Sequence, residues 1–288
     1  MTMTTSLTTL TTHTVSTTEL ILQGPERHGV RLALRDIGRG LLLWRLWIRL
    51  GWNDILQRYR RSLIGPFWLT ISTGVMVLAL GFVYSKIFQI RLDEFIPFLC
   101  VGLLVWGFIS SIIVEAGSLF TGSESYIKQI RLPYSLYVYR FICSKLIIFA
   151  HTFVVYFGVI AYFWALPGWV SLLAIPGLLI LTLNGALTSL YIGIVSARFR
   201  DIQQIVASFV QIIFFATPIM WKPELLKEHA YIATLNPFEH LIEIVRAPLL
   251  GNVPTTINYV VALLITALNA LLGLALLARY RVRISYWI

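Results

Sequence analysis

Charge is what this sequence has least of. Only 12% of its 288 residues are Asp, Glu, Lys or Arg, whereas 58% are hydrophobic, and the mean hydropathy is +0.79. Soluble domains carry about twice that share of charge and roughly 45–50% apolar residues. The excess has no place in a soluble core, which excludes an ordinary soluble enzyme and predicts a polytopic membrane protein. Cysteine is nearly missing too. Cys100 and Cys143 give neither a disulfide framework nor metal-ligand spacing, and they read as packing residues. None of the five lysines follows a glycine, so there is no Gly-x-x-x-x-Gly-Lys phosphate loop and no ATPase of that type. His13, His28, His151, His229 and His240 form no metal-like cluster; His151 lies in an apolar run and is the one expected to be buried. Residues 1–24 hold ten threonines and no Lys or Arg. That is not a secretory signal, and it predicts a disordered head.

What charge there is sits unevenly. From about Gly40 to Arg61, Trp44, Trp47, Ile48, Gly51, Ile55 and Tyr59 recur at helical spacing, opposite a row of Arg45, Arg49, Asn53 and Gln57. A Trp-rich face against an Arg-rich one predicts a helix lying in the membrane interface. The alternative is packing of the same stripe on another protein. Arg58, Arg60 and Arg61 stand at the first apolar run, where anionic headgroups would attract them.

A helix needs about 20 apolar residues to cross about 30 Å of hydrocarbon. Six stretches qualify, at about 62–88, 95–120, 136–165, 170–196, 202–221 and 256–279. The third and fourth share one long uncharged run, divided at Trp164-Ala-Leu-Pro-Gly-Trp169 by turn residues between interfacial tryptophans. Eighteen of the Lys and Arg residues fall on the side of the two termini and five on the other. The positive-inside rule therefore places both termini in the cytosol and accounts for the net charge of +10 without nucleic acid. Within the spans, Glu115 is the one ionisable residue far from a clear helix end. It is either a functional carboxylate or a side chain that reaches the interface.

Residues 222–255 form the longest outer segment. Asn236 offers an N-cap, Pro237 the first helical position, and Phe238, Leu241, Ile242, Val245 and Leu249 one apolar face, with Gly251 as the stop. Helices this short cannot span. They either dip into the outer leaflet and return or lie as one surface helix on a solvated loop. The fold expected is thus all-α and polytopic: a head at 1–39, an interfacial helix at 40–61, a six-span domain at 62–279 and a tail at 280–288.

Five stretches, taken in order, resemble one family. Arg58-Tyr-Arg-Arg-Ser-Leu-Ile-Gly-Pro-Phe-Trp68, Gly122-Ser-Glu-Ser-Tyr-Ile-Lys-Gln-Ile-Arg-Leu-Pro133 and Ala197-Arg-Phe-Arg-Asp-Ile-Gln-Gln204 are the first three. Phe215-Ala-Thr-Pro-Ile-Met220 and Asn236-Pro-Phe-Glu-His-Leu-Ile-Glu-Ile-Val-Arg246 complete the set. Together they look like ABC-2-type permeases, more narrowly exporters of O-antigen, capsular polysaccharide and teichoic acid, with 122–133 closest to O-antigen exporters. The resemblance covers the chain from about Leu41 to its end.

It implies a second copy of the chain and two separate ATPase subunits, which would bind ATP and Mg; this chain would hold no cofactor. The loop 121–135 would carry a coupling helix at Ser123, Glu124, Ser125, Tyr126, Ile127, Lys128, Gln129, Ile130 and Arg131, with Arg198, Arg200 and Asp201 as a further contact. The outer segment would form re-entrant helices around an exit gate at Asn236, Pro237, Phe238, Leu241 and Ile242. The substrate would be a polysaccharide on an isoprenoid diphosphate, crossing the bacterial inner membrane. Arg58, Arg60 and Arg61 are candidates for its diphosphate, and Trp68, Tyr84, Trp106, Phe214 and Phe215 for aromatic faces over which sugars slide. Positive-inside charge and lipid-facing aromatics are the plainer roles for the same residues. An ABC-2 permease for another substrate is the nearest rival. An intramembrane enzyme on lipid-linked sugars would need paired acid and base groups, and only Glu115 with distant histidines is on offer.

Overall fold

The computed structural model describes residues 25–288 except 61, 63, 64, 66, 164–167 and 230, and of residues 25–28, 226 and 227 the backbone alone. The Thr-rich head and Arg61 lie outside the described residues. Every regular element among them is helical. In chain order these are α1 (Pro25–Leu42), α2 (Trp44–Tyr59), α3 (Phe67–Phe88), α4 (Leu92–Glu115) and the short α5 (Glu124–Gln129). Then come α6 (Tyr134–Thr152), α7 (Val154–Phe163), α8 (Ala174–Arg198) and α9 (Asp201–Ala216). The last are α10 (Tyr231–Thr234), α11 (Pro237–Leu249), α12 (Thr256–Tyr280) and α13 (Ile284–Trp287).

Among the described residues five stretches are long and apolar enough to cross a membrane: α3, α4 with the turn to Ser118, α6–α7, α8 with the turn before it, and α12 continued to Trp287. Helix α9 is the exception. At 16 residues it reaches about 24 Å, short of the hydrocarbon thickness, although its apolar run continues to Trp221. The cause is local. Thr217 precedes Pro218, which disfavours helical backbone at the residue before it. Thr217 turns extended, with ψ 135°, and its Oγ1 donates back to the Ile213 carbonyl at 2.7 Å. The expectation of a helix through Trp221 is corrected to one ending at Ala216.

The core sits around α4, of which 78% of the membrane window is buried inside the chain, against 11% for α3. Helix α3 is apolar on all sides, so most of it faces outward. Helices α8 and α12 pack against each other around buried amides: Asn269 Nδ2 donates to Asn184 Oδ1 at 2.9 Å, and Asn184 Nδ2 to Thr266 Oγ1 at 2.6 Å. Between membrane helices such side-chain bonds fix the facing register.

The stripe expected to lie in the interface is split. Gly51 and Ile55 are buried, and Trp47 packs on Tyr139 of α6 with ring centroids 6.0 Å apart. Trp44, Ile48, Trp52 and Leu56 stay exposed. Helix α2 thus lies on α6 and leaves only part of its apolar face exposed. Helix α1 replaces the later part of the head expected at 1–39: Val30, Ala33, Ile37 and Leu41 recur at helical spacing, and the helix continues to Leu42. It is anchored by Asp36, whose carboxylate accepts from the Tyr134 and Ser135 amides at 3.2 and 2.9 Å and pairs with Arg281 Nε at 3.1 Å. It thereby satisfies the otherwise orphaned first amides of α6.

Helix α11 is held against the start of α8 by contact that only glycine permits. A Cβ on Gly177 would lie 2.2 Å from the Ile244 carbonyl oxygen. Gly177→Ala is expected to destabilise the chain by about 1–3 kcal/mol, read as a lower melting temperature in detergent. Gly158→Ala, where a Cβ would meet nothing within 4 Å, serves as the control and should leave melting unchanged or slightly raised.

Candidate functional site

The bundle has two ends of different chemistry. At one end α1 and α2, the turns after α4 and α8, and the C-terminus come together. Here span α4 stops at Glu115, and two 3-10 turns lead directly into α5. Helix α5 presents Glu124, Ser125, Tyr126, Lys128 and Gln129 outward, followed by exposed Ile130 and Arg131, while Ile127 packs inward. Ser123 is buried and anchors the start of α5, its Oγ donating to the Leu119 carbonyl at 3.0 Å. Lys128 pairs with Glu124 at 2.6 Å along the helix. Beside them, Glu124 and Arg200 line one cleft with Gln203 and the C-terminal Ile288. Arg198 lies over Trp287 of α13 at 5.5 Å, and Asp201 opens α9. The two polar loops singled out from the sequence are therefore neighbours at one surface.

Behind α5 lies a layer of ion pairs. Glu115 accepts from Arg58 Nη2 at 2.7 Å and also pairs with Lys145 of α6, which is buried. Arg140 of α6 reaches Asp54 of α2 through both Nε and Nη2, at 2.7 and 2.5 Å, and its guanidinium lies 5.1 Å from the Tyr126 ring centroid. The carboxylate read as intramembrane thus closes a helix and joins α2, α4 and α6. Arg58 is engaged by Glu115, Arg60 is exposed, and Arg61 lies outside the described residues. Sequence reasoning missed Asp54 and Arg140 as a pair. Nothing in their spacing links them, because α2 and α6 meet only in three dimensions.

At the opposite end, α11 is not a surface helix. Leu241, Ile242, Ile244, Val245 and Leu249 are all buried, so the reading of a solvated loop fails. Asn236 caps α11 as its side-chain Oδ1 accepts from the Phe238 amide at 3.0 Å. Its Nδ2 donates to the Ala216 carbonyl and Thr217 Oγ1 at 3.1 and 3.0 Å, and Pro237 takes the first helical position. One side chain thus ties the start of α11 to the end of α9. Gly251, with φ +84°, lets the chain turn away after α11.

The centre of this end is Arg246, only 1% exposed. Its Nε donates to Glu243 at 2.6 Å, Nη2 to Glu239 at 2.8 Å and Nη1 to the Pro218 carbonyl at 2.6 Å, and the guanidinium lies 4.2 Å from the Phe98 ring centroid. It joins α11, the turn after α9, and α4. In the sequence Arg246 is one of five Lys and Arg residues on that side; the tertiary fold makes it a clamp. Among the described residues His240 is the buried histidine, its ring nitrogens meeting Asn258 Oδ1 at 2.7 Å and the Thr234 carbonyl at 2.9 Å. His151, expected to be the buried one, is only half-buried, with Nδ1 2.8 Å from the Ile147 carbonyl.

One arginine serves two carboxylates here, so one charge is left over. Burial pushes the Glu239 carboxyl up to about 8; Arg246 pulls it down, and Glu243 and Glu224 push it up. Its Oε2 has no hydrogen-bond partner among the described residues. Because the folded state holds this proton more tightly than the unfolded chain, the associated stability is present in full below the ordinary carboxyl range. It is lost as pH rises through about 8. The melting temperature is therefore expected to fall as pH rises from the ordinary carboxyl range to about 8 and to level off above it. Glu239→Gln should flatten that part of the profile, and an identical slope in the variant would assign it to other groups.

Of the aromatic candidates the fold gathers three. Trp106, buried, lies 5.9 Å from Phe214 and 5.7 Å from Phe238 by ring centroids, and Phe214 lies 5.3 Å from Phe215, which is exposed. Trp68 is exposed on α3, and Tyr84 stacks on Phe88 at 5.5 Å, so these two stand apart from the cluster. Among the described residues no group of acidic, His or Cys side chains could hold a metal.

Residues 45–250 match the family described as ABC-2 type transporter. Two proteins of Klebsiella pneumoniae, each called O-antigen export system permease protein RfbA, are 23% identical to the chain. One aligns over 246 residues, 81% of this chain and 91% of the relative, and the other over 202 residues, 66% and 74%. A protein of the same name from Myxococcus xanthus is 24% identical over 208 residues, 71% of this chain and 78% of its own length. With the family match spanning most of a helical chain whose spans could cross a membrane, the protein belongs to the ABC-2 type transporter family, as a membrane permease homologous to those of O-antigen export.

Proposed function

We propose that this chain is the membrane subunit of an ATP-driven exporter that moves a lipid-linked polysaccharide, O-antigen on an isoprenoid diphosphate, across the bacterial inner membrane. Two copies work with two separate ATPase subunits, which hold ATP and Mg. The observation that carries the reading is α5: a short helix with its polar side exposed, joined without slack to the most buried span. Tyr126 against Arg140 ties it to α6, and Glu124 shares a cleft with Arg200 of the next polar turn. A docked ATPase that moved α5 would move α4 with it. The same end carries most of the arginines, which supports its placement in the cytosol together with both termini.

That orientation needs an even number of crossings. In this reading α9 makes the sixth crossing with the turn through Trp221, and α11 forms the re-entrant element beside it, capped by Asn236 onto the end of α9. Buried backbone ends at membrane depth are tolerated only where protein covers them, and the Asn236 and Arg246 bonds supply that cover. The aromatic cluster of Trp106, Phe214, Phe215 and Phe238 then lies between the crossing and the gate, where flat apolar faces suit sugar rings.

The test is purification of the tagged chain from native membranes in mild detergent, with partners identified by mass spectrometry. An equimolar nucleotide-binding ATPase whose hydrolysis rises with lipid-linked glycan is the expected result. A chain that reproducibly purifies alone and folded overturns the reading. Stimulation by lipids or drugs without glycan would keep the ATPase partnership and replace the substrate.

A further inference from the structure

Midway along the bundle, α8 and α12 leave a cleft of about 500 Å³ against α4 and α9, a usual size for a small-molecule site. Phe108 and Ile112 of α4, Val210 and Ile213 of α9 and Leu241 of α11 wall it, and among the described residues no Asp, Glu, Lys, Arg or His lines it. Two of its lining residues, Phe209 of α9 and Leu268 of α12, are well exposed and mark the mouth. Leu268 lies close to the middle of α12, so the cleft opens on the flank of the bundle, at hydrocarbon depth.

One polar atom at its back has nothing to bond. Asn184 Nδ2 donates to the Ile180 carbonyl at 3.1 Å and to Thr266 Oγ1 at 2.6 Å. A carbonyl only accepts, so the first bond fixes which way the Asn184 amide faces and turns its Oδ1 to Asn269. Asn269 is thereby the donor: its Nδ2 reaches Asn184 Oδ1 at 2.9 Å and Thr188 Oγ1 at 3.3 Å. Both hydrogens of that amide are used, and its Oδ1 accepts no bond among the described residues. Asn269 is only 8% exposed and lines the cleft. Its Oδ1 is not among the polar side-chain atoms fully shut away without a partner, so the surface it keeps faces the cleft. An acceptor left idle in an apolar setting costs about 1–3 kcal/mol, and a hydroxyl dissolved in hydrocarbon lacks an acceptor in the same way.

We propose that this cleft binds an uncharged alcohol dissolved in the membrane: a compact apolar body with one hydroxyl, which donates to Asn269 Oδ1. The inference goes beyond export and does not rest on it. Three features set the ligand class. The uncharged lining excludes a phosphate or ammonium headgroup, since an ion there would be buried unpaired. The apolar walls take the body. The single free acceptor asks for one donor, which separates an alcohol from a plain hydrocarbon and from the acyl tail of a phospholipid. Because Leu241 of α11 shares the walls with α4 and α9, an occupant bears on the outer helix as well as on the spans.

The test uses the purified full-length chain in phosphatidylcholine nanodiscs with two photoreactive probes, 4-(hydroxymethyl)benzophenone and 4-methylbenzophenone, which differ by the one hydroxyl. Labelled peptides are mapped by mass spectrometry, and affinities are compared at equal probe concentration in the bilayer. The alcohol is expected to label the cleft segments of α4, α9 and α12 saturably, and to bind about tenfold more tightly than the methyl compound. Leu268→Trp fills the mouth from an exposed position. It should abolish saturable labelling by both probes and leave the melting temperature within a few degrees of the parent. Asn269→Leu removes the acceptor but also breaks the amide pair, so its melting temperature should fall; in the folded fraction the tenfold preference for the alcohol should vanish. Equal affinity of the parent for the two probes overturns the proposal, as does cleft labelling that Leu268→Trp leaves unchanged. A parent with no saturable labelling has its cleft covered by lipid tails or by a second copy, and that result overturns the proposal as well.

Discussion

Arg246→Ala is expected to cost about 3–5 kcal/mol, the largest effect of any single substitution considered for this chain. Truncation leaves the Pro218 carbonyl, Glu239 and Glu243 without their donor and opens a void against Phe98. Three elements then lose their common point: α11, the turn after α9, and α4. Arg246→Lys should recover only part of the loss, because one ammonium cannot reproduce three divergent N–H directions. The double change of Arg246→Met with Glu239→Gln removes the buried charges together and should lie well above Arg246→Ala. Thermal melting in detergent reads stability, and hydrogen exchange over 237–249 reads the local loosening. Exchange in α11 unaltered by Arg246→Ala would remove the clamp from the account.

The second large effect falls on assembly and leaves stability alone. Ile130, half-exposed just after α5, is an apolar side chain beside the polar face of that helix. Such residues dominate binding where they anchor in a partner's groove. Ile130→Asp should alter melting by no more than about 0.5 kcal/mol. It should also lower recovery of the proposed ATPase subunit, and the hydrolysis proposed to respond to glycan, by tenfold or more. Ile130→Val, which keeps an apolar contact, should retain most of both. Full recruitment by Ile130→Asp would place the docking surface elsewhere, with the cleft of Glu124 and Arg200 as the next place to test.

Several outcomes were legible in the chain because their cause is local. The surplus of apolar residues and the shortage of charge require lipid as solvent. The Asn236-Pro237 start of α11 and its Gly251 stop come from side-chain capping and backbone freedom within a few residues. The early end of α9 was equally local: Thr217-Pro218 was there to be read, and the hydropathy of the residues beyond it concealed the break.

The remainder was decided by contacts between residues far apart in sequence. Asp36 caps α6 across 98 positions, and Arg140 finds Asp54 across 86. Neither carboxylate stands out from its neighbours, since each is specified by the helix that happens to face it. For α11, periodicity gave the apolar face but not the cover on its polar side, so Arg246 looked like a solvent charge until Glu239, Glu243, Pro218 and Phe98 closed around it. The sequence by itself determined that this protein lives in a membrane and that it is helical. Those properties follow from transfer free energy and backbone satisfaction, which are summed along a segment. Only the tertiary structure decided which charges are paired and which acceptors are left idle, because a charge in low dielectric is defined by what stands within a few ångströms of it.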